Sequence, residues 1–500
     1  MNTNTNAENS GHDYDFAVIG GGSAGYAAAR TAAGLGLRTV VIDGAEELGG
    51  LCILRGCMPS KTLIQTANVA LKARHAAEFG VTAAFQGVDT AAVRRRKRAL
   101  IGEFAGYRQG QLGDGRFALL RGTAAFTGPH ELRVTPRRPV ESVQDNGNKG
   151  VEEAAGADGG EVLTVRAKSV LIATGSVIAW PEVPGLREAG VWTSDTALDA
   201  ESVPDSFIVL GGGAIALEMA HYLEGIGRRV TVIQRSAQVL TGMDRDLAAV
   251  VEESFSRRMT VHTGTRLLRV ERTAESPGGT GTGKRVIFEK DGAEHTAEAA
   301  EVLLALGRKA AVDGLDYAKA GVDCHKGYVG VSGTMQTSMP HIFAAGDVCG
   351  QADVVHVAIQ QGELAARNAA RLLRREAGLE EMDYRLKLFG VFTEPQVASV
   401  GMNEAEAEAS GRPWKAATYP FNDHGKSMVM GEVDGFVKMI ADTETGEILG
   451  ASVAGPEAVE LIHEVCVAMH FRCTAGEFAK IPFYHPTLSE IWTYPAEDLM

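Results

Sequence analysis

An α/β protein with two Rossmann-like dinucleotide-binding domains and a C-terminal α+β domain is predicted by three observations. Residues 15–43, DFAVIGGGSAGYAAARTAAGLGLRTVVID, run from an apolar strand through a glycine-rich turn into a small-residue helix and a second strand. Residues 206–235, SFIVLGGGAIALEMAHYLEGIGRRVTVIQR, repeat that order. From about Tyr384 the character changes. There GFVKMIADTETGEILGASVAG (435–455) reads as two alternating strands joined by a Thr-Gly turn, with a helix over Val459–Phe471. A chain of 500 residues exceeds what one core supports, which agrees with several domains.

Composition narrows the function classes. With 45% hydrophobic and 22% charged residues, most of the chain is expected to fold. A net charge of −14 argues against nucleic acid or an anionic membrane as partner. No run of about 18 apolar residues occurs, so no membrane span is expected. Met1–Asp15 is polar and lacks the pattern of a signal peptide, and the expected location is the cytoplasm. The 60 glycines exceed the usual ~7% share and point to places of close backbone approach. Six cysteines (Cys52, Cys57, Cys324, Cys349, Cys466 and Cys473) are too few and scattered for a disulfide scaffold. A close pair among them in a reducing compartment reads as catalytic.

Within the repeats, Gly20, Gly22 and Gly25 fit G-x-G-x-x-G, and Gly211, Gly213 and Ala216 fit G-x-G-x-x-A. Such glycines tighten the turn and let backbone approach a pyrophosphate, whose charge meets the helix N-terminus. One motif alone can arise from packing. Two copies, each between a strand and a helix, predict two bound dinucleotides. The copies differ at the end of the second strand. A step of 23 residues from Gly20 reaches Asp43, an acid placed to hydrogen-bond a ribose. The same step from Gly211 reaches Gln234, followed by Arg235. An arginine there suits a 2′-phosphate and leans the second site to NADPH, the alternative being a surface arginine without a ligand.

Two segments interrupt this pattern. Arg137–Gly160 and Thr273–Lys284 are polar and glycine-rich and read as extended surface loops with no assigned function. The basic run Arg94–Arg98 (RRRKR) falls in a predicted helix and is expected to be a solvated face.

Residues 49–61, GGLCILRGCMPSK, give Cys52-x4-Cys57 with Lys61 close behind. Zinc would need two further ligands at matching spacing, and none stands out, so no metal is expected. The alternative is a redox-active dithiol. A helix is expected to begin here and run through Leu63, Ile64, Ala67, Ala70 and Leu71, so its dipole and Lys61 would both favour a thiolate. A free thiol has a pKa of about 8.5, so thiol exchange needs a proton manager. His485-Pro-Thr-Leu-Ser-Glu490 offers one, with Glu490 placed to orient the ring and stabilise its cation.

With these features in place, the chain resembles the FAD-dependent pyridine nucleotide–disulfide oxidoreductases, which include dihydrolipoyl dehydrogenase, glutathione reductase and mercuric reductase. The resemblance runs from Asp15 to Trp492. It rests on GGGSAG (20–25), GGLCILRGCMPSK (49–61), IATGS (172–176), GGGAIALE (211–218), LALGRKA (304–310), IFAAGDV (342–348), FTEPQVASVG (392–401) and HPTLSE (485–490). It implies an FAD-binding domain in two parts (14–180 and 311–378), an NAD(P)-binding domain (181–310) and a dimerisation domain (384–500). It also implies that Gly20, Gly22, Ser23, Ala24, Gly25, Asp43, Gly50 and Ala124 contact FAD. Thr174, Gly175 and Asp347 would complete the flavin site, and Gly307 and His356 would add cofactor contacts. Gly211, Gly213, Ala216, Gln234 and Arg235 would take the nicotinamide dinucleotide. Lys61 would lie near the flavin ring and pair with Glu218. Cys57 would be the thiol nearest the flavin, and Cys52 the one exchanging with substrate. His485 and Glu490 would come from the partner of a homodimer.

The sequence also departs from the family. Ile53-Leu54-Arg55-Gly56 replaces the usual aliphatic-Asn-Val-Gly between the cysteines. Arg55 either lowers a thiol pKa or turns to solvent. HPTLSE looks most like dihydrolipoyl dehydrogenase, whereas Ala216 and Gln234-Arg235 look more like the NADPH-using reductases. The stretch Ala496–Met500 lacks the vicinal cysteines usual in mercuric reductases. The expected function is electron exchange between NAD(P)H and a small-molecule or lipoyl disulfide, dihydrolipoyl dehydrogenase-like. The alternatives are an NADPH-dependent reductase of a low-molecular-weight disulfide or of metal ions, and a non-catalytic flavin-bound redox sensor.

Overall fold

The computed structural model describes residues 12–137, 161–275 and 282–500, so most of the two glycine-rich segments lies outside the described residues. The chain divides into two compact units. One comprises the chain through Met58 with Ala99–Ile178 and Arg308–Met382; the other comprises Pro59–Arg98, Ala179–Gly307 and Asp383–Met500.

In the first unit a parallel sheet runs in the order Ala118–Gly128, Thr39–Asp43, Tyr14–Ile19, Leu163–Ile172, Ile342–Ala344. The first strand in sequence thus lies centrally, as in a dinucleotide-binding fold. The remaining halves of Ala118–Gly128 and Leu163–Ile172 pair antiparallel with Glu131–Pro136. Phe16, Val18, Val40, Ile42, Val170 and Ile172 are all buried, because a parallel strand is covered on both faces. The small residues of the Ser23–Gly34 helix have a packing purpose. At Gly362 of the Val355–Leu373 helix a Cβ would collide with the Ala24 carbonyl, so the two backbones cross in contact.

The second unit repeats the design. Its parallel sheet runs Trp192–Thr193, Glu301–Leu304, Ser206–Leu210, Arg229–Ile233, Thr260–His262. The C-terminal region forms a five-stranded antiparallel sheet in which the expected hairpin appears as Phe436–Asp442 and Ile448–Gly455. The Ala458–His470 helix buries Leu461, Ile462 and Val465 against it. Trp492, fully buried, donates from Nε1 to the Leu461 carbonyl at 3.2 Å and fastens the segment that carries His485 and Glu490.

Three details differ from the sequence reading. The helix expected around the cysteines is two helices, Gly50–Arg55 and Cys57–His75, separated by Gly56. The basic run lies in a helix, Thr90–Leu112, but is not wholly solvated. Lys97 is buried with its Nζ 2.7 Å from Asp199 Oδ1, and Arg98 lies 2.6 Å from the same carboxylate. The hydrogen bond from Arg98, with help from Lys97, holds Asp199 well below the usual carboxylate range. Lys284, read as the end of a loop, lies in the Gly283–Lys290 strand and is buried against Glu301. In both places the neutralising acid is distant in sequence, which a run of local charges cannot reveal.

Candidate active site

The first glycine turn leads from the Tyr14–Ile19 strand into the Ser23–Gly34 helix. Gly20 has φ +105°, and a Cβ there would collide with the Ala173 carbonyl. A Cβ at Gly25 would strike the Gly20 carbonyl, and one at Gly50 would come within 2.7 Å of Gly22 Cα. Gly20, Gly22, Ser23, Ala24, Gly25 and Gly50 are therefore drawn together by backbone contact. Asp43 closes the loop: its Oδ2 accepts from the Gly21 N–H at 2.7 Å and its Oδ1 from the Ala45 N–H at 2.8 Å. Ala124 is buried in a strand, and its neighbour Thr123 meets Gly44 beside this acid.

These residues fit FAD. The Ser23–Gly34 helix has no side-chain N-cap and no acid in its first turn, so its N–H groups suit a pyrophosphate. Thr174 Oγ1 is buried without a hydrogen-bond partner among the described residues, as expected where a ligand supplies one. Beyond it, Gly175 takes φ +72°, and Ser176 Oγ donates to Asp347 Oδ2 at 2.6 Å. Arg308, which lies within LALGRKA but was given no role, donates from Nε to Ser176 Oγ at 2.7 Å and so holds Asp347 indirectly. His356 is half-buried on the Val355–Leu373 helix.

The second glycine turn has the same build. Gly211 has φ +120°, and its Cβ would collide with the Ala305 carbonyl. Ala216 is fully buried, and Gly213 caps the Ala214–Gly225 helix without a side-chain bond. Gly307, with φ +108°, follows the strand leading from this sheet. Gln234 is buried and donates from Nε2 to the Gln238 carbonyl at 3.3 Å, while Arg235 is exposed.

Cys52 lies in the short helix, and Cys57 is the first residue of the long one. A Cβ at Gly56 would come within 3.1 Å of Cys52 Cα, so a side chain at that position would block the tight break between the cysteines. Both cysteines are half-buried, and Arg55 is exposed. The sequence reading overlooked Arg108. Its guanidinium stacks 4.1 Å over the Tyr26 ring, and burial lowers its pKa.

Lys61 lies one turn into the long helix. Its Nζ is 2.7 Å from Glu218 Oε2, and the Glu218 side chain is only 6% exposed. Glu218 Oε1 also accepts from the Phe392 N–H at 3.1 Å, and the Phe392 ring lies 4.5 Å from Lys61 Nζ. Removing Lys61 would leave a buried carboxylate without its cation, which is destabilising.

His485 and Glu490 are together as well, with Nδ1 3.0 Å from Oε2. The His485 side chain is 78% exposed and Glu490 is 14% exposed, so the ring stands outside its own chain on a mostly buried carboxylate. No group of three or more metal-ligating side chains occurs among the described residues. No helix among them is long and apolar enough to cross a membrane.

Comparison with known proteins identifies the family. Residues 14–362 match the pyridine nucleotide-disulphide oxidoreductase family, and residues 389–496 match its dimerisation domain. A dihydrolipoyl dehydrogenase of Bacillus subtilis is 34% identical over 96% of each chain. One of Chlamydia trachomatis is 32% identical over 97% of this chain and 96% of its own. The fold is shared with a solved Cu(II) complex of the HOCl-induced flavoprotein disulfide reductase RclA from Escherichia coli. That likeness has a TM-score of 0.79 at 24% identity and covers 97% of this chain and 99% of the other. The chain belongs to the pyridine nucleotide-disulphide oxidoreductases, FAD-dependent enzymes that exchange electrons between NAD(P)H and a disulfide or dithiol.

Proposed function

We propose that this enzyme is dihydrolipoyl dehydrogenase-like, with Cys52 and Cys57 as its redox-active pair. The observation that carries the reading is the His485–Glu490 contact of 3.0 Å at an exposed imidazole. Thiol exchange needs a base that is held by a fixed partner and still open to an incoming sulfur. Both requirements are met on one short segment. Bound FAD supplies the two-electron carrier between nicotinamide and disulfide.

In dithiol oxidation a substrate thiol gives its proton to His485 Nε2, and its sulfur attacks Cys52. The Cys52–Cys57 bond breaks, and Cys57 leaves as a thiolate at a helix N-terminus, where the dipole favours negative charge. The second substrate thiol then attacks the mixed disulfide, its proton passes to the departing Cys52 sulfur, and the substrate leaves as its disulfide. The enzyme pair is then reduced by two electrons. Because His485 stands clear of its own chain, we assign it to the dithiol of the other protomer in a homodimer. Lys61, fixed by Glu218, is the cation assigned to the carrier's ring.

The second site is assigned to NADPH. Its support is the neutral Gln234 at the ribose position and the exposed Arg235 beside it. This same feature favours a second reading, an NADPH-dependent reductase of a low-molecular-weight disulfide. Steady-state assays of dihydrolipoamide with NAD⁺ or NADP⁺, and of lipoamide and glutathione disulfide with NADH or NADPH, separate the two. Dihydrolipoamide oxidation that falls at least a hundredfold in Cys52→Ser supports the first. Turnover of glutathione disulfide alone supports the second, and unchanged rates in Cys52→Ser reject the dithiol in both.

A further inference from the structure

Behind Glu490 stands a second histidine that no motif marked. His424 is fully buried where the Phe421–Asp423 turn meets the Gly425–Met430 helix. Its Nδ1 is 2.8 Å from Ser427 Oγ, and its Nε2 is 3.6 Å from Glu490 Oε1. The other carboxylate oxygen, Oε2, meets His485 Nδ1 at 3.0 Å. Glu490 is therefore bracketed by two imidazoles, one exposed and one buried.

We propose that His424 is a positioning residue: through Nε2–H it fixes the Glu490 carboxylate, and hence the ring of His485, for proton transfer. The inference rests on the assignment of His485 as the base. Burial lowers the pKa of His424, so the ring that faces Glu490 is neutral at ordinary pH. A neutral ring has one N–H and one lone pair. Directing the lone pair at a carboxylate would be repulsive, so the tautomer with the proton on Nε2 is favoured, and Nδ1 accepts from the Ser427 hydroxyl. At 3.6 Å the Nε2–H acts on Glu490 as an oriented dipole rather than a formed hydrogen bond. In a site this enclosed such a dipole is little screened. With Oε1 engaged from behind, only Oε2 is left to orient His485, which presents its Nε2 outward. Glu464, on the Ala458–His470 helix, is pushed up to about 7 by burial.

The test uses FAD-loaded enzyme with dihydrolipoamide as the probe, and measures flavin reduction by NADPH separately in stopped flow. His424→Phe should lower kcat for dihydrolipoamide oxidation about tenfold and leave flavin reduction and the dihydrolipoamide KM unchanged. Two conservative variants distinguish positioning from packing. Gln places an amide N–H where Nε2 stands, whereas Asn mimics Nδ1 and keeps only the Ser427 contact. His424→Gln should restore most of the rate, and His424→Asn should not. Equal rescue by Asn, or full activity in His424→Phe, overturns the proposal. If His424→Phe does not fold, the Gln–Asn comparison decides alone. His485→Ala is measured alongside. If it leaves dithiol oxidation unchanged, the assignment of the base fails; if it abolishes oxidation while the His424 variants behave like wild type, only the present inference fails.

Discussion

The two strand–turn–helix–strand repeats place a left-handed glycine against the same kind of obstacle. Gly20 abuts the Ala173 carbonyl and Gly211 abuts the Ala305 carbonyl. They part company at the tip of the second strand. In the first repeat the Asp43 carboxylate is locked beside the turn by two backbone N–H groups. In the second, Gln234 folds back on Gln238 and leaves the exposed Arg235 as the charged group there. The backbone turn is thus common to both, and the two repeats differ in the residues at the strand tip, to which we assign the discrimination between ligands.

The largest effect should come from the shared element. Gly20→Val should give protein that no longer retains FAD, read as loss of the flavin spectrum after gel filtration. Gly211→Val should keep the flavin and lose its reduction by NADPH more than a hundredfold. Loss of flavin in both would mean that the repeats do not serve separate ligands.

Next in size is the locked acid. Asp43→Ala removes a charged acceptor from two N–H groups, worth roughly 1.5–3 kcal/mol each in such hydrogen bonds. FAD should dissociate at least tenfold more readily, by fluorescence titration. Arg235→Glu tests the other strand tip: the NADPH KM should rise about tenfold relative to that for NADH. An unchanged ratio removes the phosphate-binding role of Arg235.

The last difference bears on stability and leaves turnover at neutral pH unchanged. The helix of the first repeat is rich in alanine, whereas that of the second buries His221, whose Nε2 lies 2.8 Å from Asn68 Oδ1. Burial pushes His221 down to about 3 from 6.5. The folded state therefore binds fewer protons than the unfolded one between these values. Stability from the neutral ring is intact above pH 6.5 and is lost as pH falls towards 3, with an upper bound of about 5 kcal/mol. His221→Phe should flatten that part of the stability curve in urea unfolding at stepped pH.

Much of this was legible in the sequence because the relevant signals are local. Glycine spacing marks both turns, strand alternation marks the C-terminal hairpin, and a five-residue step joins His485 to Glu490. What was not legible depends on distant chain segments meeting. Nothing near Lys97 announces Asp199, nothing near Asp347 announces Arg308, and His424 stands 66 positions before Glu490. Arg108 illustrates the same limit. The sequence drew attention to Arg55 between the cysteines, while the half-buried cation stacked on Tyr26 of the first glycine-turn helix comes from a helix some fifty residues later.

Anaerobic titration of the purified, FAD-loaded enzyme with dithionite tests the sulfur relay most directly. The account predicts four electrons per flavin in the wild type, two for the flavin and two for the Cys52–Cys57 disulfide, and two electrons in Cys52→Ser. Uptake of two electrons by both proteins would show that the cysteine pair does not carry charge.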